Sequence, residues 1–103
     1  MKNLTQMMKQ AQQLQRKMVE MQAELANRTV SAQAGGGMVE AVANGRQELL
    51  SLRIDQEVVS PEDVDMLQDL ILAAVNEALN KSREMVSQEM SKLTGGMQIP
   101  GLG

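Results

Sequence analysis

From Pro61 to Thr94 the sequence runs for 34 residues with no glycine and no further proline. Val64, Leu67, Leu70, Ile71, Ala74, Val75, Ala78 and Leu79 recur there at helical spacing, followed by the sparser Met85, Val86, Met90 and Leu93. Ser60 is a suitable N-cap, Pro61 suits a first helical position, and Asp63 falls near the capping-box place, with Val59 and Val64 spaced for a hydrophobic staple. A helix over residues 61–94 would be about 50 Å long. A compact domain of about 100 residues has a radius of gyration near 13 Å, so its own chain is too small to cover such a helix along its length. A second copy is the economical cover, and a homodimer is expected.

A second long helix is expected over about residues 3–27. Leu4, Ala11, Met18 and Leu25 fall seven apart, with Met7, Leu14 and Met21 interleaved at the same spacing, in a stretch without proline or glycine. This a/d seam predicts packing on another helix. The opposite face carries Lys2, Lys9 and Arg16, then Ala23, with Lys17 beside them. Such a face is either a solvated surface or a basic ridge that meets phosphates at about 10 Å intervals.

Between the helices the period shortens to two. Alternation predicts strands over about 29–34, 38–43 and 47–55, with Leu50, Leu52 and Ile54 sharing a face in the third. Asn44-Gly45 predicts a type I′ hairpin with both residues at positive φ, which makes the last two strands antiparallel neighbours. Gly35-Gly36-Gly37 then joins the first two strands as a turn, or as a turn with a bulge. It is not a phosphate cradle: Met38-Val39-Glu40 follow in strand alternation, where a P-loop needs Lys-Ser or Lys-Thr and the start of a helix. The fold class is α+β, a single αβββα domain over 1–94 with a Gly/Pro-rich tail over 95–103. That tail reads first as a flexible, frayed terminus, with docking through the apolar Ile99 and Leu102 as the alternative.

Composition removes several functions. The chain has no Cys, no His and no aromatic residue. Disulfides, thiolate chemistry, the commonest general base and the commonest metal ligand are absent, as is any ring on which an unstacked base would lie. No catalytic residue, cofactor, metal or small-molecule substrate is expected. Glu62, Asp63, Asp65 and Asp69 form an acidic group, but acids in the first turns of a helix suit its positive dipole end. The start MKNLTQMMKQ lacks the apolar core of a signal peptide, and no run of about 18 apolar residues offers a membrane span, so a cytoplasmic protein without a membrane partner is expected. Net charge is −3, yet residues 1–28 hold five bases against two acids, whereas residues 58–80 hold five acids and no base.

In this order, the basic Met/Gln-rich helix, GGGMVEAVANG, LLSLRID, the Ser-Pro-Glu-Asp helix start and the terminal IPGLG resemble the YbaB/EbfC family of bacterial nucleoid-associated proteins over essentially the whole chain. The resemblance implies an intertwined, tweezers-like homodimer that binds double-stranded DNA with little sequence preference in the nucleoid. The chain departs from the family's pattern at Glu40, where members often carry Lys or Arg, and at Ala41 and Ala43, where Val is frequent. The first departure moves the expected DNA contacts from the sheet to the helices. The candidate contacts are Lys2, Lys9, Arg16 and Lys17 on the first helix and Lys81, Arg83 and Lys92 on the second. The core and dimer candidates are Leu4, Met7, Leu14, Met18, Met21, Leu67, Ile71, Ala74 and Ala78. The alternative is a dimeric adaptor that holds a protein partner through Met-rich helices, with Met8, Met38 and Met66 as its markers.

Overall fold

The computed structural model describes residues 2–95, with the side chains of all but Lys2 and Thr94. The elements are helix α1 (Lys2–Ala26), strands β1 (Thr29–Ala34), β2 (Val39–Asn44) and β3 (Leu49–Ile54), a 3₁₀ turn (Gln56–Val58) and helix α2 (Val64–Thr94). The tail from residue 96 onward, with Ile99 and Leu102, lies outside the described residues. The molecule measures 74 × 26 × 16 Å, with a radius of gyration of 19.9 Å against about 13 Å for a compact chain of this length.

The strands form one antiparallel sheet in the order β1-β2-β3. β1 and β2 pair without a break from Thr29–Asn44 to Ala34–Val39. Gly35, Gly36 and Gly37 all take positive φ (65°, 67° and 94°), a run that side-chain-bearing residues would resist. The glycine stretch is thus a turn between strands. α2 lies across β1 and β2, burying Ala32, Val39, Ala41 and Ala43 against Ala74 and Ala78, with Leu67 and Ile71 half-buried at the margin. Alanine on both facing surfaces brings helix and sheet close together.

Three local expectations change. Asn44 and Gly45 do not take positive φ; Gln47 does, at 62°. The amide of Gln47 donates to the Asn44 carbonyl (3.0 Å) and the Asn44 amide to that of Glu48 (3.1 Å). This is a three-residue loop with a left-handed third residue, as in a type I turn followed by a G1 bulge, in place of the two-residue type I′ turn. Gly45 is needed for a different reason: a Cβ there would stand 2.5 Å from the Leu25 carbonyl oxygen, which its own amide meets at 3.0 Å. The β2–β3 register also shifts between Val42 and Ala43, so that Leu49 faces Ala43 and Leu50 becomes the extra residue.

α2 starts three residues later than Pro61. The Asp63 amide donates to the Ser60 carbonyl (3.1 Å) and the Ser60 hydroxyl accepts from the Glu62 amide (3.3 Å), so Ser60–Asp63 is a tight turn. Asp63 is the N-cap and makes no side-chain cap bond. Val59 and Val64 are both exposed rather than stapled together.

Candidate nucleic-acid interface

α1 leaves the sheet at a fixed root. The Leu25 carbonyl accepts from the amides of Arg28 (3.1 Å) and Gly45 (3.0 Å), while Asn27 caps Glu24 and Ala23 through its amide (3.1 Å) and its side chain (3.4 Å). Asn44, buried at the hairpin tip, accepts at Oδ1 from the amides of Arg46 (2.9 Å) and Glu48 (3.1 Å) and donates from Nδ2 to Glu48 Oε1 (2.9 Å). The wholly buried Ser82 hydroxyl of α2 donates to the Asn44 carbonyl at 2.6 Å. Helix root, hairpin tip and α2 are therefore joined by bonds that leave no buried side-chain polar atom unmatched among the described residues.

Above this root the seam is only half closed. Leu25 is buried and Leu14, Met18 and Met21 are half-buried, but Leu4 and Met7 are 60% and 63% exposed. Val86 of α2 stands by Gln22 and Leu25, and Leu93 by Leu14, so the two helices run antiparallel until α2 ends. Beyond that point α1 continues without a partner among the described residues.

The cations divide into two sets. Lys9, Arg16 and Lys17 are exposed on α1, and none engages another described side chain or carbonyl. Lys2 opens the same helix, and its side chain lies outside what is described. On α2 the candidates are already occupied. Lys81 Nζ donates to the Ser31 carbonyl at 3.0 Å, covering part of the open edge of β1; Arg83 donates to Asn80; and Lys92 meets Glu89 Oε1 at 3.3 Å.

Sequence reasoning passed over three arginines. Arg28 pairs with Glu89 at 3.0 Å, tying the α1–β1 connection to α2. That contact, with Lys92 second, holds the Glu89 carboxyl below its ordinary pKa. Arg53 faces Glu40 across the strands at 3.8 Å and donates to the Gly37 carbonyl at 3.4 Å. Gln33 donates to the other Glu40 oxygen at 3.1 Å, so Glu40 and Arg53 on the outer face of the sheet are satisfied within the sheet. Arg46 is exposed at the hairpin tip, next to a shallow cavity of about 310 Å³. Only its place two residues after Asn44 signalled that it would stand at a tip.

The family model described as the YbaB/EbfC DNA-binding family matches residues 1–97. The chain belongs to the YbaB/EbfC family. Proteins named nucleoid-associated protein share this sequence closely. One from Pelotomaculum thermopropionicum is 59% identical over 100 residues, covering 97% of this chain and 95% of its own. Another, from Syntrophobacter fumaroxidans, is 62% identical over 95 residues, covering 92% and 86%. The fold also matches the crystal structure of an uncharacterized Helicobacter pylori protein, HP0035, with a TM-score of 0.62 at 23% identity, over 85% of this chain and 98% of that one. The YbaB/EbfC description is of DNA binding rather than catalysis. Among the described residues, no His, Cys, Asp or Glu group is placed to hold a metal ion, and no helix is long and apolar enough to cross a membrane.

Proposed function

We propose that this YbaB/EbfC member acts in the nucleoid as a homodimer that holds double-stranded DNA by its phosphates, using the projecting part of α1 from each copy. The observation that carries this reading is the division of the cations: Lys9, Arg16 and Lys17 have no protein partner among the described residues, whereas Lys81, Arg83 and Lys92 do. Lys9 and Arg16 lie two turns apart, about 10 Å, on one side of a helix that stands clear of the sheet. Each neutralised phosphate releases counterions, which favours binding without naming a base. The α2 cations contribute less, because a phosphate must first displace their present partners. With no aromatic residue, selectivity falls to duplex shape.

The uncovered apolar surface supports the second copy. β3 is exposed along most of its length, with Leu50 52% exposed and Leu49 and Leu52 also open, and Leu72 of α2 is 59% exposed. Side chains of this size in a small domain call for a cover, and one identical chain supplies it by symmetry.

Exposure of Met8 and Met66 favours the adaptor as a second reading; Met38 packs against the core and does not serve it. Native mass measurement with and without a random duplex separates the two. A dimer that takes up duplex agrees with the proposal. A dimer that retains a protein partner and never takes up duplex at physiological salt supports the adaptor, and a monomer refutes both.

A further inference from the structure

Asn44 and Ser82 are the buried polar residues among those described, and they meet: the Ser82 hydroxyl of α2 donates to the Asn44 carbonyl at 2.6 Å. A hydroxyl in a wholly covered site contributes little net stability, since its bond replaces one made to water and an alanine there would need no partner at all. What the bond adds is direction. It ties the tip of the β2–β3 hairpin to α2, and Asn44 keeps that tip in shape by accepting from the amides of Arg46, Gln47 and Glu48. The next residue, Gly45, donates to the Leu25 carbonyl of α1 at 3.0 Å, in a fit that has no room for a Cβ. Beside this bond, α1 meets α2 through apolar side chains, Leu25 near Val86 and Leu14 near Leu93, whose attraction has no preferred direction. Arg28, just beyond the helix, pairs with Glu89 while its side chain is 46% exposed, and such surface pairs hold weakly.

We infer that Ser82 is a positioning residue: through Asn44 and Gly45 it sets the direction in which α1 leaves the sheet, and with it the place of Lys9 and Arg16. Its value for binding rests on the reading that α1 holds duplex DNA. Lys9 lies about 24 Å along the helix from Leu25, so a turn of about 10° at the root carries it about 4 Å. A charge-assisted bond to a phosphate does not survive such a shift. The buried hydroxyl thus acts at a distance from any contact with DNA, by keeping a long lever from wandering.

Ser82→Ala is expected to fold, because the Asn44 carbonyl keeps the Gln47 amide and alanine is the better helix former. Spin labels at Thr5→Cys and Ser91→Cys, both exposed and in a chain without native cysteine, read the gap between α1 and α2. Labelled chains are diluted into unlabelled ones, so that the pair within one chain is measured. Ser82→Ala should shift or broaden that distance by about 3–5 Å, whereas Ser87→Ala, which removes an exposed serine from the same helix, should leave it unchanged. An unchanged distance in Ser82→Ala, or an equal change in Ser87→Ala, overturns the inference. With α1 wandering, the cations are correctly placed only part of the time, so Ser82→Ala should lower duplex affinity about tenfold at every salt concentration and keep the salt slope. Unchanged affinity, or a flatter slope that marks lost contacts, also overturns it. A wild type that takes up no duplex refutes the proposed function instead, and the label distances still decide what Ser82 does.

Discussion

Replacing Lys9 and Arg16 with alanine together should flatten the salt dependence of duplex binding. On the proposed reading, the three α1 cations without a partner among the described residues, Lys9, Arg16 and Lys17, give about six phosphate contacts in a dimer and a slope of log K on log salt near −5.4. Between 50 and 200 mM salt, affinity then falls about a thousandfold. The double variant keeps two contacts per dimer, so its slope drops to about −1.8 and the same salt interval costs only about tenfold. Both side chains are exposed and alanine is a good helix former, so circular dichroism should show α1 intact. Arg53→Ala serves as control: Arg53 already faces Glu40, and its removal should leave the slope unchanged. Fluorescence anisotropy of a labelled random duplex, titrated at four or five salt concentrations, supplies the slopes. Equal slopes for the wild type and the double variant, or a flatter slope in the Arg53 control, would refute the assignment of the contacts to α1.

Three further outcomes concern the frame that holds α1. Gly45→Ala should destabilise the protein by about 2–4 kcal/mol in urea unfolding, since its Cβ would stand 2.5 Å from the Leu25 oxygen and the bond from its amide would be lost or lengthened; a loss under about 0.5 kcal/mol would show that the root yields freely. Gln47→Gly should raise stability by up to about 1 kcal/mol, because Gln47 holds a left-handed φ of 62° that glycine takes without steric cost; a decrease would mean that its side chain matters more than its backbone. Glu89 has a lowered pKa, so its pairing with Arg28 stabilises the fold above the ordinary value of 4.5 and this contribution is lost as pH falls through the lowered one. Glu89→Gln should therefore weaken the protein at neutral pH and reduce the acid-side pH dependence of thermal unfolding; an unchanged acid limb would count against the pair.

The αβββα order was legible because each element carries its own period, and the two longest patterns lie in the two longest helices. The errors arose where one local sequence fits two geometries. Ser60-Pro61-Glu62-Asp63 suits a helix start, but Pro61 at the second position suits a type I turn equally well, and the turn forms, delaying α2 to Val64. Asn44-Gly45 marked the hairpin, yet its conformation is set by Leu25, nineteen and twenty residues away in sequence, which no local pattern registers. The same holds for the cations. Lys9 and Lys81 look alike as lysines on helices; that Lys81 donates to the Ser31 carbonyl, fifty residues away, while Lys9 meets no described residue follows from how α2 lies along β1.

A net charge of −3 would seem to oppose a polyanion, but the charges are separated by the fold. Glu62, Asp63, Asp65 and Asp69 lie around the start of α2, on the side where the β1–β2 glycine turn comes against Leu70. α1 is rooted at the other end of the sheet, where Gly45 meets Leu25 and Asn44 meets Ser82, and it runs outward from there. Screening at physiological salt acts over about 8 Å, far less than the 74 Å length of the molecule. The acids near α2's start therefore do little to the field at Lys9 and Arg16, where the opposing charges that count are the helix's own Glu20 and Glu24. On the proposed reading, the local balance on α1 sets affinity, and the sheet, although it carries no unpaired base on its Glu40–Arg53 face, contributes by holding the acidic start of α2 apart from the root of α1.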